Sequence, residues 1–403
     1  MVAPAKGALP GDVISGIGSA TERRDSPDAS EADTAASIHR EILQLAALML
    51  AAVAAFFITR AVAASNRQMS VRDAAEWYRR GQQALANGQV EAAIDDLRRA
   101  AVRNRGNKDY VLAFARALVR HHDDETARGV LMTIRESAPE DAEINLELAR
   151  IGADRQDVAE ATRFYHNALY APWPAESRDA RRRVRFEFIR FLLTRQDSGR
   201  ALSELLAAAA DLPDEPAVHL ETAQLFAQAG DHDHALEQFQ RVLRLAPGDG
   251  RALAGAGLSA FRLGQYALAR SMLRRAPADL DDVAAAREIV ELVLADDPLA
   301  KRIGSAERRR RLIAGLEYAG ERLAGCISAR PDRWAAADEA LAREAAEFAD
   351  GLKRTAALDQ DTLEAGVDLL DRIALPTSNA CSPATPRDRA LVLIGRQHGG
   401  ALP

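Results

Sequence analysis

The sequence is poor in aromatic residues and cysteine, and its many charged residues leave only a small excess of one sign. Aromatic side chains make up 5% of its 403 residues, and the formal net charge is −6. Its two cysteines, Cys326 and Cys381, are too few for a disulfide-rich scaffold and too widely spaced for a zinc site. Without a basic surplus, the chain is not expected to bind nucleic acid. Alanine is abundant instead, and its small side chain suits closely packed helices.

Motifs that support catalysis are also missing. The sequence has no Gly-x-Ser-x-Gly or His-Glu-x-x-His pattern, and its glycine-rich stretch at residues 250–257 does not follow a strand. Residues 121–124, two histidines and two aspartates, fall at a predicted turn, where adjacent side chains do not converge on one metal ion. We therefore expect no enzyme activity, no cofactor and no metal site.

One apolar segment lies near the N-terminus. Residues 42–59 carry Gln44 as their only strongly polar side chain and are followed directly by an arginine. A helix of this length spans about 27 Å at 1.5 Å per residue, which is enough for the hydrocarbon layer of a membrane. We therefore predict a disordered tail over residues 1–38 and a single transmembrane helix over residues 39–64.

Other interpretations of this segment fit less well. A cleaved secretory signal has a short basic start, but a long stretch of mixed charge comes first here. A twin-arginine signal is weak because Arg23 and Arg24 are followed by Asp25. A buried core helix is a poor match, since the segment is apolar on its whole circumference. The arginines on the two sides are too evenly divided to decide the orientation, and we expect the rest of the chain to lie in the periplasm.

After this segment the sequence repeats every 34 residues. Six units begin at Ala74, Lys108, Ala142, Arg182, Pro216 and Gly250. Position 20 of each unit is alanine, namely Ala93, Ala127, Ala161, Ala201, Ala235 and Ala269. Position 8 is small in every unit except the fourth, where it is Ile189, and position 24 is always large and apolar. A repeat of this length is typical of stacked helical hairpins whose helices cross closely where side chains are small.

These units resemble the tetratricopeptide repeat family. The clearest matches are Trp77, Gly81, Gly88, Ala93 and Ala100 in unit one, Leu148, Ala161 and Ala168 in unit three, Gly230, Ala235, Phe239 and Pro247 in unit five, and Gly257, Gly264, Ala269 and Ala276 in unit six. The resemblance covers residues 71–281 and implies a right-handed α-solenoid of about six hairpins that binds other proteins. It does not name a partner, because the family serves many.

The turn inside each hairpin falls at position 15. Glycine occupies it as Gly88, Gly230 and Gly264, and the other units have His122, Gln156 and Gln196. Glycine is expected there because the turn needs a residue that tolerates left-handed backbone angles. The polar residues are expected to be accommodated in the same loop.

The resemblance also implies where a partner would bind. In this family the concave groove is lined by first-helix positions 2, 5, 9 and 12. In units three and four these positions include Arg150, Arg183, Phe186, Arg190 and Leu193. Guanidinium groups beside apolar side chains suit an acidic peptide or a C-terminal carboxylate. The alternative is that Glu147 and Glu187, which lie within a turn of these arginines, neutralise them.

One spacing in the array differs from the others. Units three and four begin 40 residues apart, with the extra residues near Trp173, which is flanked by two prolines. This tryptophan either packs in the gap between neighbouring hairpins or contacts a partner. Packing is the favoured interpretation, since buried aromatic side chains usually serve it.

Beyond about Leu280 the repeat fades and amphipathic helices follow. Apolar side chains spaced by three and four residues mark stripes over 312–326, 334–352 and 363–374, followed by a break at 376–379 and a short helix over 388–396. Ser305 is placed to cap the first of these helices. Because a repeat array exposes an apolar end that needs a cover, we predict that residues 282–403 form a helical cap.

The two cysteines lie in this C-terminal region. A disulfide between Cys326 and Cys381 would close a loop of about 55 residues and could stabilise the fold by up to roughly 4 kcal/mol. It would require an oxidising compartment. The alternative is two unconnected thiols.

Three functions fit this organisation. The first is a membrane-anchored scaffold that holds another protein in its helical groove. The second is a structural subunit of a larger membrane complex that docks through other surfaces. The third, an accessory part of an enzyme, has no convergent acid, base, nucleophile or metal set to support it.

Overall fold

A computed structural model of the chain describes residues 28–355 and 357–398. These residues contain 17 α-helices and two short 3₁₀ helices, and no β-strand. The helices form two compact units, one ending at Asp123 and the other beginning at Asp124. The predicted all-α fold is confirmed.

The first unit contains α1 (Asp28–Ala86), α2 (Val90–Arg103) and α3 (Lys108–Arg120). The C-terminal part of α1 and the whole of α2 form an antiparallel hairpin, and α3 packs against α2. Gly81 of α1 faces Leu97 of α2, which is completely buried. The hairpin therefore closes at a point where one of the two helices carries no side chain.

Helix α1 is longer than the predicted transmembrane helix. It runs without interruption from Asp28 to Ala86, so that residues 28–38 are helical where the sequence predicts a disordered tail. Residues 1–27 of that predicted tail lie outside the described residues. The physical reason for the longer helix is that residues 28–80 contain no glycine or proline that would end it.

Part of α1 has the length and composition of a membrane span. Within Leu43–Ala86 an 18-residue window reaches a mean hydropathy of 2.2, and none of it is buried in the structure. Large apolar side chains are exposed to solvent around this helix, for example Leu48, Leu50 and Phe56, which are 67%, 73% and 61% exposed. Among the described residues this helix is the single candidate for a membrane span.

The second unit begins with α4 (Asp124–Arg135) and continues with four hairpins. They pair α5 (Ala142–Asp154) with α6 (Val158–Leu169), α7 (Arg178–Thr194) with α8 (Ser198–Ala209), α9 (Pro216–Ala229) with α10 (His232–Leu245), and α11 (Gly250–Arg262) with α12 (Tyr266–Leu273). The helices therefore follow the 34-residue period read from the sequence.

The repeated small and large residues form the core. All six alanines at position 20 are 0% exposed. The large residues at position 24 are buried as well, namely Leu97, Leu131, Tyr165, Leu205, Phe239 and Leu273. Ile189, the large residue at position 8 of unit four, is also 0% exposed, and nothing in the structure explains why this unit takes a large side chain there.

The turns share one backbone conformation in all six units. Gly88, His122, Gln156, Gln196, Gly230 and Gly264 have φ angles of 75°, 62°, 61°, 60°, 86° and 70°. The left-handed turn is therefore kept where glycine is replaced by histidine or glutamine, at the moderate conformational strain that a side chain brings.

The irregular segment between units three and four folds back on α6. It contains a short 3₁₀ helix at Ala175–Ser177, and the Trp173 indole Nε1 donates a hydrogen bond to the Ala168 carbonyl oxygen at 2.9 Å. Arg181 Nε donates to the Leu169 carbonyl oxygen at 3.0 Å. Trp173 thus helps to cover the end of α6, which agrees with a packing role.

Five helices follow the repeats. They are α13 (Asp281–Asp296), α14 (Ser305–Ala329), α15 (Ala336–Arg354), α16 (Gln360–Ala380) and α17 (Pro386–His398). Helix α13 packs against the last hairpin, and α14 to α17 pack against one another, with α17 returning to α13. The apolar residues Leu312, Leu316, Leu363 and Leu370 from the predicted stripes are buried between them.

Three details of this region differ from the sequence interpretation. Helix α16 continues through Pro376, because the proline removes a single backbone donor and the rest of the helix keeps its bonds. The Thr377 hydroxyl donates to the Ile373 carbonyl oxygen at 2.7 Å. Ser305 is the first residue of α14 and makes no side-chain cap. Trp334 precedes α15, since Pro331–Arg333 forms a separate 3₁₀ helix.

The structure joins the two cysteines. Cys326 near the end of α14 and Cys381 directly after α16 form a disulfide, with Cα atoms 5.7 Å apart. Arg322 Nη2 donates to the Pro383 carbonyl oxygen at 2.6 Å, and the Tyr318 hydroxyl donates to the buried Asp388 carboxylate at 2.9 Å. The turn between α16 and α17 is thus fixed to α14 by a covalent bond and by polar contacts.

Candidate partner-binding surface

In the groove predicted from units three and four, Arg150 forms ion pairs with two neighbouring glutamates. Arg150 Nε and Nη2 donate to the two carboxylate oxygens of Glu187 at 2.8 and 2.7 Å, and Arg150 Nη1 donates to Glu147 at 3.0 Å. The Tyr165 hydroxyl donates to the same Glu187 carboxylate at 3.0 Å. Arg150 is therefore neutralised by both glutamates.

Proton affinities in this cluster follow from the contacts. Burial favours a higher pKa for Glu187, but the hydrogen bond and charge of Arg150 outweigh it and hold the pKa below its ordinary value. The hydrogen bond to Glu187 raises the pKa of Arg150, and burial followed by the negative charge of Glu187 raises the pKa of Tyr165. The cluster is a fixed ion pair with a neutral phenol.

The other predicted groove residues are dispersed. Arg190 forms an ion pair with Glu221 of α9. Phe186 is 3% exposed and belongs to the core, so it offers no surface to a partner. Arg183 is exposed and Leu193 is half-buried. These side chains do not converge on one open site.

A larger concave site lies further along the second unit. A cavity of about 1010 Å³ is lined by first helices α9 and α11, by α13 and by the C-terminal helix α17. Its apolar surface includes Leu258, Phe261 and Val392. The C-terminal helices therefore contribute a wall of this cavity.

Three arginines give the cavity its charge. Arg262 of α11 and Arg389 and Arg396 of α17 line it and are exposed, whereas Asp282 is the one carboxylate in the lining. Within residues 28–355 and 357–398, no ion pair involves any of these three arginines. Asp371 lies within electrostatic reach of Arg396, but burial and Asp368 raise its pKa against the effect of that arginine. The cavity thus presents cationic donors beside apolar side chains.

A close packing contact shapes one wall of the cavity. A β-carbon added to Gly255 of α11 would lie 2.2 Å from Cζ of Phe239 of α10. The missing side chain at Gly255 lets the edge of the phenylalanine ring reach the cavity from the second helix of the preceding hairpin. Any larger residue there would have to displace that ring.

His232 adds a titratable group at the cavity. Its Nδ1 atom is buried and has no hydrogen-bond partner in the structure. Burial lowers its pKa first, and the positive charge of Arg262 lowers it further. The negative charge of a ligand carboxylate in the cavity would oppose the effect of Arg262 on this pKa.

The sequence interpretation did not single out this cavity. Leu258 and Phe261 occupy positions 9 and 12 of unit six, so the groove rule applied to that unit would have indicated them. Arg389 and Arg396 carry no comparable signal, because they lie beyond the end of the repeat.

A second group of arginines lies at the start of α7. Arg178, Arg181, Arg182 and Arg185 line a cavity of about 490 Å³. Arg182 pairs with Asp179 at 3.0 Å, and Arg185 pairs with Glu204 at 3.2 Å. Two of the four arginines are thus in ion pairs and Arg181 donates to the Leu169 carbonyl oxygen, so this cavity is a weaker candidate for ligand binding.

Comparison with known proteins agrees with the repeat assignment. The tetratricopeptide repeat model matches residues 192–250 and 223–282. YrrB, a tetratricopeptide repeat protein with an unusual peptide-binding site, is 19% identical over 47% of this chain and 95% of its own, with a TM-score of 0.38. PilF of Pseudomonas aeruginosa is 17% identical over 52% and 91%, and the type IV pilus biogenesis factor PilW is 16% identical over 52% and 96%, both with TM-scores of 0.38. A search of curated protein sequences found no match.

Proposed function

Because this chain is a tetratricopeptide repeat protein, we propose that it is a membrane-anchored scaffold that holds an acidic segment of another protein. The segment binds in the cavity between α9, α11, α13 and α17. The observation that carries the proposal is that Arg262, Arg389 and Arg396 lie there without an ion pair among the described residues, beside Leu258 and Phe261. Guanidinium groups bind carboxylates through paired hydrogen bonds, and the apolar wall accommodates neighbouring side chains of the peptide.

The membrane anchor in this proposal is the apolar part of α1. Its side chains pack against nothing in the structure, and burying such surface stabilises by roughly 25 cal/mol per Å². A bilayer supplies that burial for a helix of this length. Arg40 and Arg60, which lie at the two ends of the apolar segment, can extend their side chains to the membrane interfaces.

The disulfide supports a location of the second unit outside the cytoplasm. Structural disulfides persist in oxidising compartments such as the periplasm and are rare in the cytosol. Cys326 and Cys381 are bonded, so the repeat domain and its cap are proposed to face the periplasm. Protease added to intact spheroplasts should then digest the repeats, whereas full protection would place them in the cytoplasm.

A labelled peptide tests the binding proposal directly. Full-length protein in detergent is titrated with a fluorescent peptide of alternating glutamate and leucine, and with the same peptide carrying glutamine for glutamate. The acidic peptide should bind more tightly, and salt should weaken it. Arg262→Glu and Arg389→Glu should each weaken binding about tenfold or more, since a charge-assisted hydrogen bond contributes about 1.5–3 kcal/mol.

The matched control is Arg244→Glu. Arg244 is exposed near the end of α10 and does not line the cavity. This variant carries the same charge change and should bind the peptide as the wild-type protein does. Equal loss in all three variants would reduce the effect to net charge, and no loss in the cavity variants would refute the assignment.

A second candidate function is a structural subunit of a larger membrane complex. It is favoured by three large apolar side chains that remain exposed at or near the ends of second helices, Tyr170, Leu206 and Leu245, at 52%, 47% and 44%. Such residues are available for contact with another subunit. Size analysis of the chain extracted in mild detergent distinguishes the two, because a free monomer would exclude a permanent subunit.

A further inference from the structure

The first hairpin carries a basic surface at its membrane-facing end. Helix α2 runs antiparallel to α1, so its C-terminus returns toward the apolar segment. The Ser70 hydroxyl of α1 donates to the Arg103 carbonyl oxygen of α2 at 3.3 Å, and Arg103 Nη2 donates to Asp73 at 3.4 Å. The end of α2 therefore lies level with Ser70, about 15 Å along the helix from Arg60 at 1.5 Å per residue.

Positive charge dominates this end of the hairpin. No acidic residue occurs between Arg60 and Arg72, and residues 101–107 contain none either. Arg60, Arg67, Arg72 and Arg105 are exposed, and no ion pair in the described part of the chain involves them. The nearby Asp73 is used by Arg103.

Apolar side chains are exposed among these arginines. Met69, Val71 and Val102 are 53%, 51% and 59% exposed, although they belong to helices whose inner faces are well packed. We name Arg60, Arg67, Met69, Val71, Arg72, Val102, Arg103 and Arg105 the juxtamembrane surface. Positive charge interspersed with exposed apolar groups is the composition that membrane-surface segments share.

We propose that the juxtamembrane surface binds anionic lipid headgroups and seats the first hairpin on the bilayer. The inference rests on the proposed membrane anchor and adds a second membrane contact to it. Headgroups occupy roughly 5–8 Å on each side of the hydrocarbon layer, and Arg67 lies about 10 Å beyond Arg60, within the reach of an extended arginine. A tilt of about 20°, which is common for membrane helices, also brings the end of α2 closer to the headgroups.

Charge complementarity favours lipid over a protein partner. The surface is open and continuous with the apolar segment. Arginines near an anionic bilayer are attracted to it, and the attractions of the four arginines without ion pairs add to one another. The attraction falls off within a Debye length, which is about 8 Å at physiological ionic strength, so it acts only when the hairpin lies close to the bilayer.

The experiment uses the full chain in lipid vesicles. Because both native cysteines are in the disulfide, a single Val102→Cys substitution can be labelled with an environment-sensitive fluorophore. The protein is reconstituted into phosphatidylcholine vesicles with and without phosphatidylglycerol, and headgroup spin-labelled lipid serves as the quencher. Quenching should be strong in the anionic vesicles, weak in the neutral ones and reduced by high salt.

Two controls define the surface. Gln89→Cys places the label at the opposite, exposed end of α2, where quenching should stay low in both kinds of vesicle. Charge reversal by R67E, R72E and R105E together with the Val102 label should reduce quenching to the level in neutral vesicles. Quenching that is equal in neutral and anionic vesicles would overturn the proposal.

The outcome also separates this inference from the anchor. Protein that fails to float with vesicles of either composition would refute the anchor and the lipid contact together. Protein that floats while the Val102 label remains unquenched would refute the lipid contact alone. Shielding of the label in native membranes but not in anionic vesicles would assign the surface to a protein partner and overturn the proposal.

Discussion

Gly257 of α11 lies so close to Leu273 of α12 that a β-carbon on the glycine would be 2.6 Å from Leu273 Cδ2 and 3.2 Å from the Leu273 backbone nitrogen. The same relationship joins Gly81 and Leu97 in the first unit, where the β-carbon would be 2.6 Å from Leu97 Cγ. Positions 8 and 24 of these units are therefore in direct contact. A small residue on one helix makes room for a large one on the other.

Enlarging this contact should destabilise the hairpin. Gly257→Ala forces Leu273 out of its position, and we expect the free energy of unfolding to fall by about 1–3 kcal/mol in chemical denaturation. The control is Gly129→Ala in α4, where an added β-carbon meets nothing within 4 Å. That change should raise stability by up to about 1 kcal/mol through helix propensity. Equal stability of the two variants would show that the close contact is not limiting.

The Arg150–Glu187 pair should stabilise the fold in a pH-dependent manner. Glu187 has a folded pKa below its ordinary value of 4.5, so the unfolded chain takes up the proton first as pH falls. The stabilisation is therefore complete above about pH 4.5 and is lost as pH falls through the folded pKa. Glu187→Gln should lower the free energy of unfolding by about 1 kcal/mol at neutral pH, a reduced value because the Arg150 side chain is 43% exposed.

An exposed pair provides the comparison for this measurement. Glu125 is 75% exposed and pairs with Arg155. Glu125→Gln should change the free energy of unfolding by less than about 0.5 kcal/mol at any pH, since exposed ion pairs contribute little. Parallel pH profiles for the two variants would contradict a special role of Glu187.

The disulfide should stabilise the C-terminal helices. Cys326→Ser with Cys381→Ser opens a loop that spans a sequence separation of 55, and the free energy of unfolding should fall by about 2–4 kcal/mol. Reductant should destabilise the wild-type protein by a similar amount and leave the double variant unchanged. A wild-type protein that is insensitive to reductant would show that the bond contributes nothing beyond the contacts of Arg322 and Asp388.

The pKa of His232 reports on the cavity. Burial and Arg262 lower it, so a nuclear magnetic resonance titration should give a value below 6.5. Arg262→Gln removes the second cause and should raise the value, whereas Arg244→Gln should leave it unchanged. The contribution of His232 to stability is complete above pH 6.5 and is lost as pH falls below it, because the unfolded chain binds the proton more tightly. An unperturbed value would place the ring in water.

The repeat was predictable from sequence because its contacts are local. The residues that touch within a hairpin recur at fixed positions, and all six alanines of position 20 are buried, as the repeat predicts. The cavity was not predictable in the same way. One wall belongs to α17, which meets α13 through a contact that spans most of the C-terminal region, as in the 2.8 Å ion pair between Arg387 and Asp296.

The charge of the predicted groove was also not predictable from the sequence. Arg150 and Glu187 are 37 residues apart, one repeat and part of the irregular segment, and the sequence left open whether they would meet. Their pairing depends on how one hairpin is placed against the next, which spacing alone does not determine. The same applies to Phe186, whose position on a first helix indicated the groove although its side chain is buried.

Helix α1 passes from the apolar segment to Trp77 without a glycine, a proline or a turn. A helix without such a break resists bending, since its backbone hydrogen bonds are continuous. With the apolar segment held in a membrane, the first hairpin is joined to it by a continuous, rigid helix. A rotation of α1 about its long axis within the membrane would therefore turn the first hairpin by the same angle.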